Sequence, residues 1–165
     1  MKIKIIIGLV FLISCGTKKL SLQDDINDKA IFDTSIIAIL HPSQYTPFKD
    51  KKPAVLNQKD FQVIDSILKQ AIEQYNTHLQ KQSPELKKDD ELFIRLKNYK
   101  QQYVPVINEQ GEKEVWINCF CNDGIPTPDW KTHLEIVFDG GDCYFDIRIN
   151  LTTKKAEALS VNGYG

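Results

Sequence analysis

The stretch from Asn57 to Leu79, NQKDFQVIDSILKQAIEQYNTHL, has the spacing of an amphipathic helix. Asn57 can cap its N-terminus, Asp60 lies in the first turn where the helix dipole favours negative charge, and Ser83-Pro84 ends the pattern. At 1.5 Å per residue such a helix is roughly 35 Å long, enough to cross a whole sheet. Apolar side chains recur at every third or fourth position, as on a face that packs against a sheet: Phe61, Ile64, Ile67, Leu68, Ala71, Ile72, Tyr75 and Leu79.

The second half of the chain has the two-residue period of β-strands. Alternation puts Leu134, Ile136 and Phe138 on one side of a strand, so we expect one side of the sheet to be buried. Turn residues separate the apolar runs, which is typical of β-hairpins. The predicted strands are Tyr103–Asn108, Glu114–Cys121, Lys131–Phe138, Cys143–Asn150 and Ala156–Asn162.

Three further segments complete the prediction of secondary structure. Ser35–Leu40 (SIIAIL) is a short apolar run that suits one buried strand. Residues 42–56 hold several prolines together with Tyr45 and Phe48, which favours an irregular loop packed by its aromatic side chains. Asp89–Tyr99 fits a helix extension or an edge strand, and we take it as a strand.

This order of elements predicts an α+β fold in which one long helix packs on a curved antiparallel sheet. It is similar to the element order of cystatin-like and related folds, in which a sheet wraps around one helix. The length of 165 residues and the 42% hydrophobic content suit one folded domain with its own core. We therefore expect a single α+β domain over residues 31–165.

The N-terminus, MKIKIIIGLVFLISC, has the features of a processing signal. Lys2 and Lys4 precede an apolar run, Ile5 to Ile13, that would rise only about 14 Å as a helix, roughly half of the hydrocarbon thickness. The run ends in Leu12-Ile13-Ser14-Cys15, which resembles the lipobox of bacterial lipoproteins. An ordinary secretory signal with an incidental cysteine is the alternative.

The lipobox resemblance implies an address and a modification. In that family a diacylglyceryl group is attached to the cysteine thiol, the chain is cleaved before the cysteine, and the new amino group is acylated, for example with palmitate. Cys15 is then the lipidation site, residues 1–14 the signal peptide, and residues 15–30 a lipid-anchored tether. Gly16 follows the cysteine, which resembles enteric lipoproteins exported to the outer membrane. The implied location is the periplasmic or surface face of that membrane.

A second resemblance concerns the last third of the chain. The stretch DGGDCYFDIRINLTTKKAEALSVNGYG over residues 139–165, with NCFC at 118–121, is similar to a group of small bacterial envelope lipoproteins of no known activity. It supports the same class and implies no chemistry.

Three cysteines besides Cys15 allow at most one internal disulfide. Cys119 and Cys121 lie two apart on one predicted strand, so a bridge should join one of them to Cys143. If the strands form a strict meander, a Cys121–Cys143 bridge is disfavoured, because the two residues would be a strand length apart, roughly 20–25 Å, which is too far for a disulfide. The loop Asn122–Asp129 would remove that separation if it ran back along the sheet. Both a Cys121–Cys143 disulfide and three buried thiols therefore remain open.

No residue pattern points to catalysis or to a metal. Cys119, Cys121, Cys143 and His133 include zinc-ligand types, but the paired knuckles of a structural zinc site are missing. A Cys121–His133 dyad is disfavoured, since His133 alternates with the inward Leu134. The commonest hydrolase, nucleotide and metalloprotease motifs do not occur. We predict no catalytic residue, no metal and no cofactor.

The sequence favours a binding role over an enzymatic one. The net charge of −1 gives no basic patch for nucleic acid. Large aromatic residues could form a binding face, although they more often pack a sheet: Trp116, Trp130, Tyr144 and Tyr164. Our hypothesis is a membrane-anchored lipoprotein that binds an unidentified protein or small molecule. The alternatives are an enzyme with a pocket between helix and sheet, as in NTF2-like folds, and an immunity or inhibitor protein.

Overall fold

A computed structural model describes residues 32–87, 90–122 and 128–163 of the chain. Within these ranges the protein combines one long helix with a single sheet, so the predicted α+β class is confirmed. Single turns of 3₁₀ helix lie at Pro42–Gln44, Leu96–Asn98 and Gly141–Cys143. The regular elements are β1 (Ile37–Ile39), β2 (Lys52–Pro53), α1 (Gln58–Gln82), β3 (Tyr99–Ile107), β4 (Lys113–Cys121), β5 (Tyr144–Asn150), β6 (Lys155–Ala156) and β7 (Ser160–Val161).

The sheet is mixed, not purely antiparallel. Its strand order is β1-β3-β4-β5-β6, with β2 also paired to β3 and β7 to β5. β1 runs parallel to β3, with Ala38 opposite Gln102, and the other pairs are antiparallel. The prediction of an antiparallel sheet is therefore wrong at the β1 edge. The reason is that α1 lies between β1 and β3 in the chain and acts as the crossover that parallel neighbours require.

The predicted helix is confirmed with the predicted cap. The Asn57 side chain accepts from the backbone N–H groups of Lys59 and Asp60, and the Asp60 carboxylate accepts from the Asn57 N–H at 2.8 Å. This capping box satisfies donors that the first helical turn leaves free. The Asp60 carboxylate also pairs with Lys113 at 2.8 Å and so joins the start of α1 to β4.

Both faces of the central strands are buried. The face towards α1 packs Ile64, Leu68 and Ile72 against the side chains of β4 and β5, including Ile117 and Ile147. The opposite face is covered by residues from two irregular segments: Leu40, Tyr45, Phe48 and Trp130. The loop predicted for residues 42–56 is thus packed by its aromatics as expected. On β5 the predicted alternation is confirmed, since Phe145, Ile147 and Ile149 are buried.

Two predicted strands are wrong. Lys131–Phe138 forms turns and irregular backbone, and Ile136 and Phe138, predicted to face inwards, are 60% and 92% exposed. The alternation of apolar and polar residues here is typical of a strand. The backbone nevertheless bonds to side chains of the sheet, not to a neighbouring strand. The described part of Asp89–Tyr99 consists of turns and one 3₁₀ turn before β3 begins. The last predicted strand, Ala156–Asn162, is divided into the short strands β6 and β7.

The predicted signal peptide over 1–14, the predicted tether over 15–30 and the predicted lipidation site Cys15 lie outside the described residues, and so does Tyr164. Among the helices in the described ranges, none combines the length and the hydropathy needed to cross a membrane.

Candidate functional site

A concave surface lies along one side of α1, and we call it the flank groove. Its first compartment, of about 540 Å³, opens between the N-terminal half of α1 and the edge of the sheet formed by β1 and β3. A volume of this size falls in the range of small-molecule sites, about 300–1,000 Å³. Apolar side chains form most of its wall: Phe32, Ile36, Ile37, Phe61, Leu68 and Leu96.

An aromatic stack forms one wall of the first compartment. The rings of Phe32 and Phe61 are 4.7 Å apart with nearly parallel planes, and the rings of Phe61 and Tyr103 are 6.1 Å apart. Tyr103 is buried, and loss of solvation raises the pKa of its hydroxyl, with smaller contributions from Cys119 and Asp65. The Tyr103 hydroxyl is therefore a neutral hydrogen-bond donor at ordinary pH.

Gln101 presents an unused donor to this compartment. The residue is only 4% exposed, and its Oε1 accepts a hydrogen bond from the Tyr103 hydroxyl at 2.9 Å. Its Nε2 donates to no atom of the described residues. In the described ranges, every side-chain nitrogen or oxygen that is shielded from solvent has a hydrogen-bond partner. Because the Nε2 of Gln101 has none, this atom must be accessible, and the accessible space beside Gln101 is the groove that it lines. A buried amide without a partner is costly unless water or a ligand accepts its hydrogens.

Charged side chains stand at the mouth of the compartment. Lys69 pairs with Asp65 at 2.8 Å, one helical turn apart on α1, and both side chains are largely exposed. Lys97 is exposed and has no ion-pair partner in the described part of the chain. The mouth therefore carries one surplus positive charge.

A second compartment continues the groove towards the C-terminal end of α1. It has a volume of about 710 Å³ and shares Lys69 and Leu96 with the first. Ile72 and Phe93 give it an apolar floor. Its half-buried Asn76 side chain donates to the Ile94 carbonyl at 2.9 Å and accepts from the Ile94 N–H at 3.0 Å. Other polar and charged side chains also line this compartment: Glu73, Thr77, Gln80, Lys81 and Arg95.

A smaller cavity of about 410 Å³ lies between the other flank of α1 and the segment after β5. It is lined by Tyr75, His78 and Leu159, among others. Burial raises the pKa of Tyr75, and the nearby Asp142 adds to the effect. None of the residues that line this cavity is buried. It therefore lacks a buried polar side chain such as Gln101 in the flank groove.

Cys121 and Cys143 form a disulfide with their Cα atoms 4.9 Å apart. The strand-length separation expected for a strict meander does not arise, because residues 128–143, the described part of the connection before β5, form no strand. The two strands are direct neighbours, with Phe120 opposite Tyr144, which places the cysteines side by side. Of the two alternatives that the sequence left open, the structure therefore has the Cys121–Cys143 disulfide. Most of the loop Asn122–Asp129 lies outside the described residues.

The residue types of a zinc site are not brought together. Cys119 is a fully buried free thiol, and its burial raises its pKa well above the usual range. His133 is exposed and pairs with Asp129 at 2.8 Å, while Cys121 is held in the disulfide. Among the described residues, no group of three or more His, Cys, Asp or Glu side chains is arranged to hold a metal.

The large aromatic residues pack the sheet more than they form a binding face. Trp130 is 6% exposed, with the amines of Lys100 and Lys131 at 5.1 and 5.5 Å from its ring. The Trp116 indole N–H donates to Asp146 at 2.9 Å across the sheet. The polar pair Gln102 and Asn118 is also structural, since its hydrogen bonds hold the backbone of residues 130–135.

Comparison with known proteins gives no guide to the site: no family model, curated protein or solved structure matches the chain. The enzyme alternative places a pocket between helix and sheet, but the residues of the flank groove were not predicted. These residues give only a weak signal in the sequence, namely the two adjacent glutamines Gln101 and Gln102 directly before the run Tyr103–Asn108.

Proposed function

We propose that the protein is a membrane-anchored lipoprotein of the bacterial envelope that binds a ligand in the flank groove and catalyses no reaction. The lipobox resemblance of Leu12-Ile13-Ser14-Cys15 supports the anchor, the tether over 15–30 and the placement at the outer membrane. We also propose that the α+β domain is related in shape to cystatin-like folds, on the ground that one helix crosses one sheet.

One observation carries the binding role. The Gln101 carboxamide is almost completely buried, yet its nitrogen faces a groove of about 540 Å³ without a partner in the described residues. Other buried polar side chains, such as Gln102 and Asn118, have their groups satisfied within the protein. A single open donor in an apolar groove is the usual form of a small-molecule site, where few polar groups fix the orientation of the ligand.

Metabolic labelling with an alkyne analogue of palmitate tests the anchor. We expect the full chain to be labelled and to fractionate with membranes, and Cys15→Ala to lose both properties. Cys119→Ala is the matched control, because this thiol is buried in the folded protein and should leave labelling unchanged. Labelling of Cys15→Ala at the level of the unchanged protein would contradict the anchor.

Native mass spectrometry of the protein released from membranes in mild detergent tests the binding role. We expect a retained small molecule on the unchanged protein and on Gln74→Leu, and its loss from Gln101→Glu. Gln74 is exposed on α1 and lines the other flank. Equal retention by all three proteins would place the ligand elsewhere.

A second candidate function rests on the exposed apolar residues Ile136 and Phe138, which fit an inhibitor or immunity protein that inserts a loop into a partner. The enzyme alternative has a groove of suitable size between helix and sheet, but His133 does not line it. A Phe138→Ser variant distinguishes the loop from the groove. It should leave ligand retention unchanged if the groove is the site.

A further inference from the structure

Resting on the proposed binding role of the flank groove, we infer that its ligand is an elongated monocarboxylate with an unbranched apolar chain. The carboxylate lies at Gln101, and the chain runs along α1 into the second compartment.

The shape of the groove selects an elongated ligand. The two compartments follow one another along one flank of α1 and have Lys69 and Leu96 in both of their walls. Their lining residues extend from Gln58 to Lys81, which is about 35 Å of helix at 1.5 Å per residue. A compact ligand would leave most of this apolar surface in water.

The polar groups fix the direction of the ligand. In the first compartment the Nε2 of Gln101 is open, whereas in the second compartment both polar atoms of Asn76 are bound to the backbone of Ile94. The other polar side chains of the second compartment are exposed or donate to backbone carbonyl oxygens: Glu73, Thr77 and Lys81 are exposed, and Gln80 and Arg95 donate. Among the described lining residues, an almost completely buried amide donor without a partner is therefore found only in the first compartment. The apolar floor of Ile72 and Phe93 is left for the chain.

The same groups select the chemistry of the head. The Oε1 of Gln101 already accepts from the Tyr103 hydroxyl, whereas the Nε2 has no partner in the described residues, so the side chain offers the ligand its amide donor. A carboxylate accepts such a hydrogen bond, and a charged acceptor strengthens it. Lys97 adds a positive charge at the mouth, while the negative charge of Asp65 is paired with Lys69. An ammonium head in the first compartment would meet this amide donor and the Lys97 amine, while the Asp65 carboxylate is already paired with Lys69.

The experiment uses decanoate and decylammonium as probes, added to the ¹⁵N-labelled full chain below their micelle concentrations. The side-chain amide resonance of Gln101, identified by its absence from Gln101→Glu, reports binding directly. Gln101→Glu keeps an acceptor for the Tyr103 hydroxyl and removes the amide donor. Lys97→Gln removes only the rim charge, and Gln74→Leu is the control on the other flank. A thermal melt of each variant checks that it folds.

We expect decanoate to shift the Gln101 resonance in a saturable way and to bind at least about tenfold more tightly than decylammonium. Gln101→Glu should weaken decanoate binding about tenfold or more at pH 8. Lys97→Gln should weaken it about two- to fivefold, as for an exposed charge, and Gln74→Leu less than twofold.

Two outcomes would overturn the inference in different ways. If decylammonium shifts the Gln101 resonance as strongly as decanoate, the carboxylate is wrong, while the binding role of the groove stands. If neither probe shifts that resonance and no molecule is retained in native mass spectrometry, Gln101 is satisfied by water. The proposed function of the groove is then wrong as well.

Discussion

Gln102 has its side chain fully buried and uses all of it to hold an irregular segment. Its amide donates to the carbonyl oxygens of Trp130 and His133, and its Oε1 accepts from Asn118 and from the N–H of Glu135. This explains why a segment with strand-like alternation stays outside the sheet: its backbone groups are satisfied by side chains rather than by a neighbouring strand.

Replacing Gln102 by leucine should therefore be severely destabilising. Several buried groups would lose their partners at about 1–3 kcal/mol each, so we expect a loss of at least about 3 kcal/mol in the free energy of unfolding. Urea denaturation measures it. Gln74→Leu makes the same chemical change on an exposed position and should stay within about 0.5 kcal/mol. If both variants lose a similar free energy of unfolding, the hydrogen bonds of Gln102 do not stabilise the fold.

Cys119 gives the protein a pH dependence on the alkaline side. Burial raises the pKa of its thiol above that of the unfolded chain, where thiols titrate near pH 8.5. The stabilising contribution is therefore complete below about pH 8 and is lost as the pH rises above it, at up to about 1.4 kcal/mol per pH unit. Cys119→Ala lacks this dependence. The difference in the free energy of unfolding between the unchanged protein and this variant should become smaller from pH 8 to pH 10. A difference that stays constant over this range would contradict the prediction.

Gln101 and Gln102 show what the sequence cannot reveal at this scale. The two residues are identical and adjacent, and both are almost completely buried. Because successive residues of a strand point to opposite faces, one meets the backbone of residues 130–135 and the other meets the groove. Which glutamine is satisfied depends on tertiary contacts, which no local pattern in the chain encodes.

At the scale of elements, α1 carries the clearest prediction. Leu68 is almost completely buried against the sheet, whereas Lys69 is exposed and pairs only with Asp65 on its own helix. Leu68→Ala should cost about 2–5 kcal/mol and Lys69→Ala at most about 0.5 kcal/mol. Thermal and urea melts of the full chain measure both. Equal effects would show that α1 is not packed on the sheet.

The disulfide stabilises the long connection between β4 and β5. It links residues 22 apart in sequence, and the loop-closure model assigns about 3 kcal/mol to a bridge of that span. We expect the double variant Cys121→Ala, Cys143→Ala to lose about that amount relative to the oxidised protein. Reduction of the unchanged protein should give the same loss. If both changes cost less than about 1 kcal/mol, the strand pairing alone holds the connection.

Elements with strong local signals were predictable, and those set by long-range contacts were not. The cap and period of α1, the turn between the predicted strands Tyr103–Asn108 and Glu114–Cys121, and the alternation of β5 are all encoded within a few residues. The parallel pairing of β1 follows from the path of the chain through α1, which periodicity does not report. For Lys131–Phe138 the alternation was real, but it belongs to a segment whose apolar residues are partly exposed.

At the scale of the whole molecule, the fold explains where a ligand site can exist. One helix covers the sheet face without filling the space above the short edge strand β1, and the flank groove opens there. The opposite sheet face is closed by Tyr45, Phe48 and Trp130.

Intermolecular nuclear Overhauser effects between ¹³C-labelled decanoate and the full chain test the binding site most directly. The account predicts contacts from the methylene groups next to the carboxylate to the Gln101 amide, and from the end of the chain to Ile72 and Phe93. Contacts confined to Ile136 and Phe138, or to the cavity near Tyr75 and Leu159, would contradict it.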